Sequence, residues 1–168
     1  MYAGHAAIAL VAKARRRAIP IAILVPVAFA PDWIKVLLSY AGNTNAAISH
    51  SLVSVAIGAT LVAGAYYAFT RAAGDAFVLW LTYASHWAAD FVTGTKPTWP
   101  GGPQVGLLLY ARPLADVIVE SIFVIVCYLI YRRSLPPESR KRAIGWLIPL
   151  GLIGMQILFA AVQSPDFS

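Results

Sequence analysis

The chain has 168 residues, 60% of them hydrophobic and only 12% charged, with a mean hydropathy of +0.71. Soluble domains carry about 25% charged residues, and thirteen Lys and Arg with seven Asp and Glu cannot cover a water-soluble fold of this size; disorder, collagen, coiled coil and a disulfide scaffold are excluded with it. The net charge of +6 sits in clusters between apolar stretches, at Lys13 and Arg15–Arg17, at Arg71, and at Arg132, Arg133 and Arg140–Arg142, which is the pattern of cytoplasmic loops and not of a nucleic-acid-binding face.

The apolar stretch Tyr2–Ala12 is too short to span a bilayer. Its positive charges follow the apolar run instead of preceding it, so it is not read as a cleavable signal peptide. It reads as a half-depth helix anchored by Lys13–Arg17, with an interfacial helix as the alternative. The first span is expected over Ala18–Tyr40, bent or broken near its middle by Pro20, Pro26 and Pro31. Such a break in lipid requires that the freed carbonyls find protein or a watery cavity.

A second span follows over Ala46–Phe69, in which Gly58 and Gly64 suit close helix packing. Asp75, after Gly74, reads as a helix cap at the start of a third span, Asp75–Thr93. The fourth and fifth spans are Pro113–Tyr131 and Ile144–Val162. With the basic clusters inside, Gly42–Asn45, Gly94–Arg112 and the tail Ser164–Ser168 fall outside. Cys127 lies in an apolar run with no partner and carries no redox information. The expectation is therefore one integral-membrane domain over residues 1–168, all-α, a polytopic transmembrane bundle of about five spans plus a half-depth helix. There is no internal repeat.

All three histidines, His5, His50 and His86, lie in or beside apolar segments, as do Asp32, Asp90, Asp116 and Glu120. Ionisable groups in a bilayer are costly, face the bundle interior and mark sites. Counting about 1.5 Å per helical residue from the basic anchors puts Asp32 and His86 ~22 Å up, with Asp90 a turn higher. The same count gives ~24 and ~18 Å for Asp116 and Glu120, ~31 Å for His50, and only ~12–15 Å for His5. Six of the seven gather in the outer half, and His5 is the outlier.

His86 and Asp90, four residues apart, share a helix face, as do Asp116 and Glu120. Imidazole and carboxylate from several helices suit a divalent cation, Zn²⁺ above all, and a cation explains how several carboxylates stay charged together. Blander roles stand beside this. The His86–Asp90 pair also suits a hydrogen bond or proton relay, and Asp32 after Pro31 suits a cap. Asp116 and Glu120 suit neutralisation of Arg112 and Lys96, and His50 between Ser49 and Ser51 suits an interfacial hydrogen bond.

The same residues carry a likeness. Gly4-His5, Ala30-Pro31-Asp32, Ser49-His50-Ser51-Leu52 and Ser85-His86-Trp87-Ala88-Ala89-Asp90-Phe91-Val92-Thr93 occur in that order. Over roughly residues 1–120 this resembles the bacterial LexA-regulated, inner-membrane metal-dependent hydrolase family, which is distantly similar to zinc-dependent phospholipase C. The resemblance implies a membrane-embedded metal hydrolase with His5, Asp32, His50, His86 and Asp90 as ligands. Two positions depart from the family pattern: Ile34 stands in place of a second acid and Asn45 in place of a further histidine. They imply a reduced site with one metal. The last span carries no motif and is read as structural.

On this reading, a metal-activated water attacks a phosphoester, or a related bond, of a lipid or lipid-linked substrate at the outer half of the membrane. Glu120 or Asp116 serves as general base or orients a ligand histidine. Lys96, Arg112 and Trp99 hold an anionic head group, with Trp99 and Tyr110 also suited to the interfacial belt. Metal-free lipid phosphatases fit less well, because Arg112-Pro113 follows the histidines instead of preceding them. An ion- or proton-coupled transporter built on the same His/Asp cluster is the rival reading, and a metal-bound structural or sensor protein is a third. The oligomeric state stays open.

Overall fold

The Ala-rich N-terminal stretch folds into α1 (Tyr2–Arg15), and this short helix becomes the centre of the structure. Ala3, Ala7, Ala9, Leu10 and Ala12 are buried, and α1 packs against four later helices. Small side chains let neighbouring backbones approach closely where lipid offers no hydrophobic driving force. At 14 residues, or ~21 Å, the helix falls short of a full crossing. It lies inside the bundle, not on a surface, which removes the interfacial alternative.

The computed structural model describes residues 2–43 and 45–163; the tail Ser164–Ser168, expected outside, lies beyond the described residues. After α1 come α2 (Ile21–Ala28) and α3 (Ala30–Tyr40), then a 3-10 turn, Ala46–His50, and α4 (Leu52–Thr70). Next are α5 (Ala73–Thr93) and the two-residue strands β1 (Lys96–Pro97) and β2 (Gln104–Val105), paired antiparallel. A 3-10 turn at Leu109–Ala111 leads into α6 (Pro113–Ser134), and α7 (Pro137–Lys141) and a turn at Ala143–Trp146 precede α8 (Leu147–Gln163).

The all-α bundle is as expected, with corrections at its spans. The first is two helices bent by 58° at Phe29. Pro20 caps α2, Pro26 lies within it, and Pro31 opens α3. In place of a helix from Ala46, a 3-10 turn carries His50, and α4 starts only after Ser51, whose hydroxyl accepts from Ser54 N–H at 3.1 Å. Leu52–Thr70, Pro113–Ser134 and Ala143–Ala161 are long and apolar enough to cross a membrane, four segments if the bent pair counts as one span. The expected span at 75–93 forms the 21-residue α5 but is not among them, because it carries Asp75, His86 and Asp90.

Large aliphatic residues on the spanning helices face outward, as with Leu61 at 68% and Leu114 at 75% exposure, while alanines and polar groups face inward. That inside-out arrangement suits hydrocarbon surroundings. Gly58 is where α4 meets α5, since a Cβ there would collide with the Tyr83 hydroxyl; Gly64 faces open space and takes no part in packing. Cys127 is buried on α6 against Ala3 and Ala7 of α1.

The basic clusters gather at one end. Arg16 pairs with Asp75 at 3.6 Å, Arg17 bonds the Ser134 carbonyl, and Lys13 Nζ donates to the carbonyls of Arg17 and Ile19. Asp75 is thus no cap: α5 begins at Ala73 after Ala72, and Asp75 sits in its first turn, where the helix dipole favours an acid.

The Arg16–Asp75 pair also resolves the His5 discrepancy. α1 runs away from the site and α5 runs toward it, and both His5 and His86 lie 11 residues from this pair, ~16 Å along each helix. The two rings therefore reach one level. Arg71 was the wrong reference for His86, because it caps α4 in the left-handed conformation below the start of α5.

Candidate metal centre

The proline break does two things for the site. It starts α3 in a new direction, placing Asp32 in its first turn, and it leaves the Ala28 carbonyl without its helical partner. His86 Nδ1 lies 2.9 Å from that carbonyl oxygen. A carbonyl only accepts, so Nδ1 carries the proton and the Nε2 lone pair points the other way. The Phe29 ring at the bend meets the His5 ring edge-on, with centroids 5.5 Å apart.

His86 Nε2 is buried with no hydrogen-bond partner among the described residues. It faces Asp90 Oδ2 at 3.5 Å and Asp32 Oδ1 at 3.8 Å. A bare lone pair aimed at two carboxylate oxygens is unfavourable, and either a cation among them or a proton on Nε2 relieves it. His5 stacks on His86 with centroids 3.9 Å apart, and its Nε2 lies 3.2 Å from Asp90 Oδ1. His50 Nε2 lies 3.0 Å from Asp32 Oδ1 and 3.7 Å from Asp90 Oδ2. Its Nδ1 is 2.9 Å from the Ser49 hydroxyl, which fixes the ring.

All five expected ligands thus converge, from α1, α3, the turn before α4, and α5. Two triplets, His5–Asp32–His86 and His50–His86–Asp90, each offer ligand atoms within 4.8 Å of one another. A cluster of buried imidazole nitrogens and carboxylate oxygens at this spacing can hold a metal ion.

The other expected site residues are distributed differently. Lys96, at β1, places Nζ 2.9 Å from Asp90 Oδ2, inside the cluster and not at an outer mouth. Asp116 accepts from Gln156 Nε2 at 2.7 Å, tying α6 to α8, and Glu120 is buried on α6 against the Gly4 backbone. Neither acid joins the two converging triplets, and among the described residues no ion pair is seen between either acid and Arg112 or Lys96. Arg112 is exposed at the start of α6 with no ion pair among the described residues. Trp99 is exposed on the β-hairpin.

Tyr110 is half-buried. Its hydroxyl bonds Thr93, its ring contacts Phe159, and burial pushes its phenol well above the usual range, so it stays protonated. Ile34 is two residues, about 200° of helix, beyond Asp32 and faces outward, so an acid there would point away from the cluster. Asn45 is exposed ahead of the turn that carries His50.

The segment 94–112 lies over the end of α5. Val53 N–H bonds the Thr98 carbonyl, Leu107 N–H bonds Phe91, and Trp87 Nε1 bonds Pro97. Gly106 is required here, because a Cβ would run into the Gly94 carbonyl. The cluster opens at Asp32, whose side chain is 29% exposed. No residue pattern announces the Ala28 carbonyl as a partner for His86 or Lys96 as an inner cation, whereas a hydrogen-bonded His50 beside Ser49 is expected from the Ser49-His50-Ser51 run. The Ala28 contact depends on the bend at Phe29. Comparison with family models, curated proteins and solved structures yields no match to this chain.

Proposed function

We propose that this chain is a membrane-embedded metal-dependent hydrolase acting on a phosphoester, or a related bond, of a lipid or lipid-linked substrate. The carrying observation is the buried His86 Nε2, oriented by the Ala28 carbonyl toward two carboxylates. The donor set of neutral imidazoles and carboxylates suits Zn²⁺. His50, His86, Asp32 and Asp90 would hold the ion, with His5 braced against His86 and Asp90. Held there, a divalent cation would supply a water of lowered pKa and polarisation of the scissile group.

The chain's own groups supply the rest. Ser49 and the Ala28 carbonyl orient His50 and His86. Asp32, on the open side, is better placed to accept a proton than Asp116 or Glu120, and Lys96 offsets negative charge beside Asp90. The ordered motifs that resemble the LexA-regulated inner-membrane hydrolase family support membership in it. With the basic end cytoplasmic, the site faces the outer half of a bacterial inner membrane.

The test is elemental analysis of the purified protein followed by hydrolysis of a phospholipid and phosphoester panel with and without chelator. Stoichiometric zinc and chelator-sensitive turnover, both lost in H86A and D90A, are expected. Variants that keep full turnover refute the assignment. Ion flux in liposomes, lost in the same variants and without turnover, would make the cluster a transport site instead.

A further inference from the structure

The headgroup ligands expected from sequence leave a gap: Lys96 is engaged by Asp90, and Arg112 is not brought to the cluster. We infer that a groove along α3 seats the phosphate of an anionic membrane lipid, with Lys35 as the ammonium that binds it. This rests on the metal reading for the inner end of the groove, where Asp32 is a ligand.

The groove encloses about 490 Å³ and is lined by Asp32, Lys35, Val36, Ser39 and Tyr40. That volume lies within the ~300–1,000 Å³ common for small-ligand sites. Asp32, Lys35 and Ser39 recur at i, i+3 and i+7 and so form one polar stripe on α3. The opposite stripe is apolar and open, with Trp33 at 60% and Leu37 at 67% exposure. A helix divided in this way can lie at the boundary of head groups and acyl chains, its polar stripe turned to the groove and its apolar stripe to lipid.

Charge selects the occupant. Lys35 is exposed and has no ion pair among the described residues, whereas Lys13 is bound to carbonyls and Lys96 to Asp90. Asp32 would repel an anion if its charge were free, but it is held by His50. Two carboxylates and Lys96 leave the cluster one negative charge, and a divalent ion reverses that sign. An anion entering beside Asp32 then meets positive charge at both ends. Lys35 is three residues from Asp32, ~4.5 Å of helix rise, a spacing that one phosphate group bridges. The acyl chains of that lipid leave the groove past Val36 and Tyr40, the apolar side chains that line it.

The experiment uses the full chain in detergent, loaded with zinc and equilibrated with phosphatidic acid or phosphatidylcholine of matched acyl chains. Retained lipid is read by native mass spectrometry and zinc by elemental analysis. Wild type is expected to prefer phosphatidic acid. K35A should lose that preference at least fivefold with zinc content unchanged, and K35R should keep it. Glycerol phosphate should displace the lipid poorly. Wild-type preference in K35A overturns the proposal, as does displacement by glycerol phosphate at the concentration at which a short-chain phosphatidic acid competes. Absence of zinc from wild type with a Lys35-dependent preference intact would refute the metal reading and uphold the groove.

Discussion

Lys96 Nζ lies 2.9 Å from Asp90 Oδ2, the same oxygen that faces His86 Nε2 at 3.5 Å and His50 Nε2 at 3.7 Å. An ammonium and a divalent ion must therefore share or contest one carboxylate oxygen. Lys96→Met acts on both states in the same direction. Without metal, Asp90 loses its ammonium partner; with metal, a like charge is gone. Removing one partner of a fully buried pair costs about 3–5 kcal/mol. The Lys96 side chain is 23% exposed, and hydration of the opened site reduces that cost to about 1–2 kcal/mol. K96M should then bind zinc roughly 5–30-fold more tightly than wild type. The assay is competition with a chromophoric chelator on metal-free protein in detergent, with K96R as the charge-retaining control. The thermal midpoint of metal-free K96M should fall below that of wild type. Zinc affinity in K96M equal to or weaker than wild type would refute the idea that Lys96 holds the place of a metal.

Ser49→Ala should weaken zinc binding about 10–100-fold, as loss of an orienting partner of a ligand histidine does, since the Ser49 hydroxyl is 2.9 Å from His50 Nδ1; an unchanged affinity in the same competition assay would show that the ring is fixed by packing alone. Gly58→Ala should destabilise the protein by about 1–3 kcal/mol by forcing Tyr83 aside. Gly64→Ala, which faces open space, should leave the thermal midpoint in place. Equal midpoints for the two variants would contradict the α4–α5 contact.

The composition and basic clusters were enough to read a helical membrane bundle. The placement of His and Asp in apolar segments singled out seven candidates, with Asp116 and Glu120 among them and His5 as the outlier, and only the ordered motifs of the resemblance narrowed these to the five that converge. Depth counting misjudged His86 relative to His5, because the shared reference is the pairing of Arg16 with Asp75 at the basic end, a contact between residues 59 apart in the chain. Lys96 lies in the cluster and not at an outer mouth for a related reason. The loop carrying Lys96 folds back over α5 through backbone bonds to Phe91 and Gly94, which no side-chain pattern announces. The Lys35 stripe was visible as Asp32, Lys35 and Ser39 at helical spacing, but only the 58° bend shows that this stripe starts at the cluster.

His86 joins both halves of the broken span. Its Nδ1 binds the Ala28 carbonyl at the end of α2, and its Nε2 faces Asp32 in the first turn of α3. An ion between His86 and Asp32 would connect α3 to α5 across the break, where Asp32 now has His50 as its hydrogen-bond partner. α3 packs chiefly on the turn that carries His50, with Pro31 its buried residue and most of its other side chains exposed. A ligand that requires the closed position of α3 lowers the population in which α3 is detached, by mass action. At a zinc concentration 100 times Kd the gain is about 2.7 kcal/mol, or roughly 100-fold slower amide exchange across α3. α8, which supplies no residue to the converging triplets, should exchange at the same rate with and without zinc. In H86A the zinc-dependent protection of α3 should vanish, and equal protection in H86A and wild type would mean that the bend and the cluster are energetically separate.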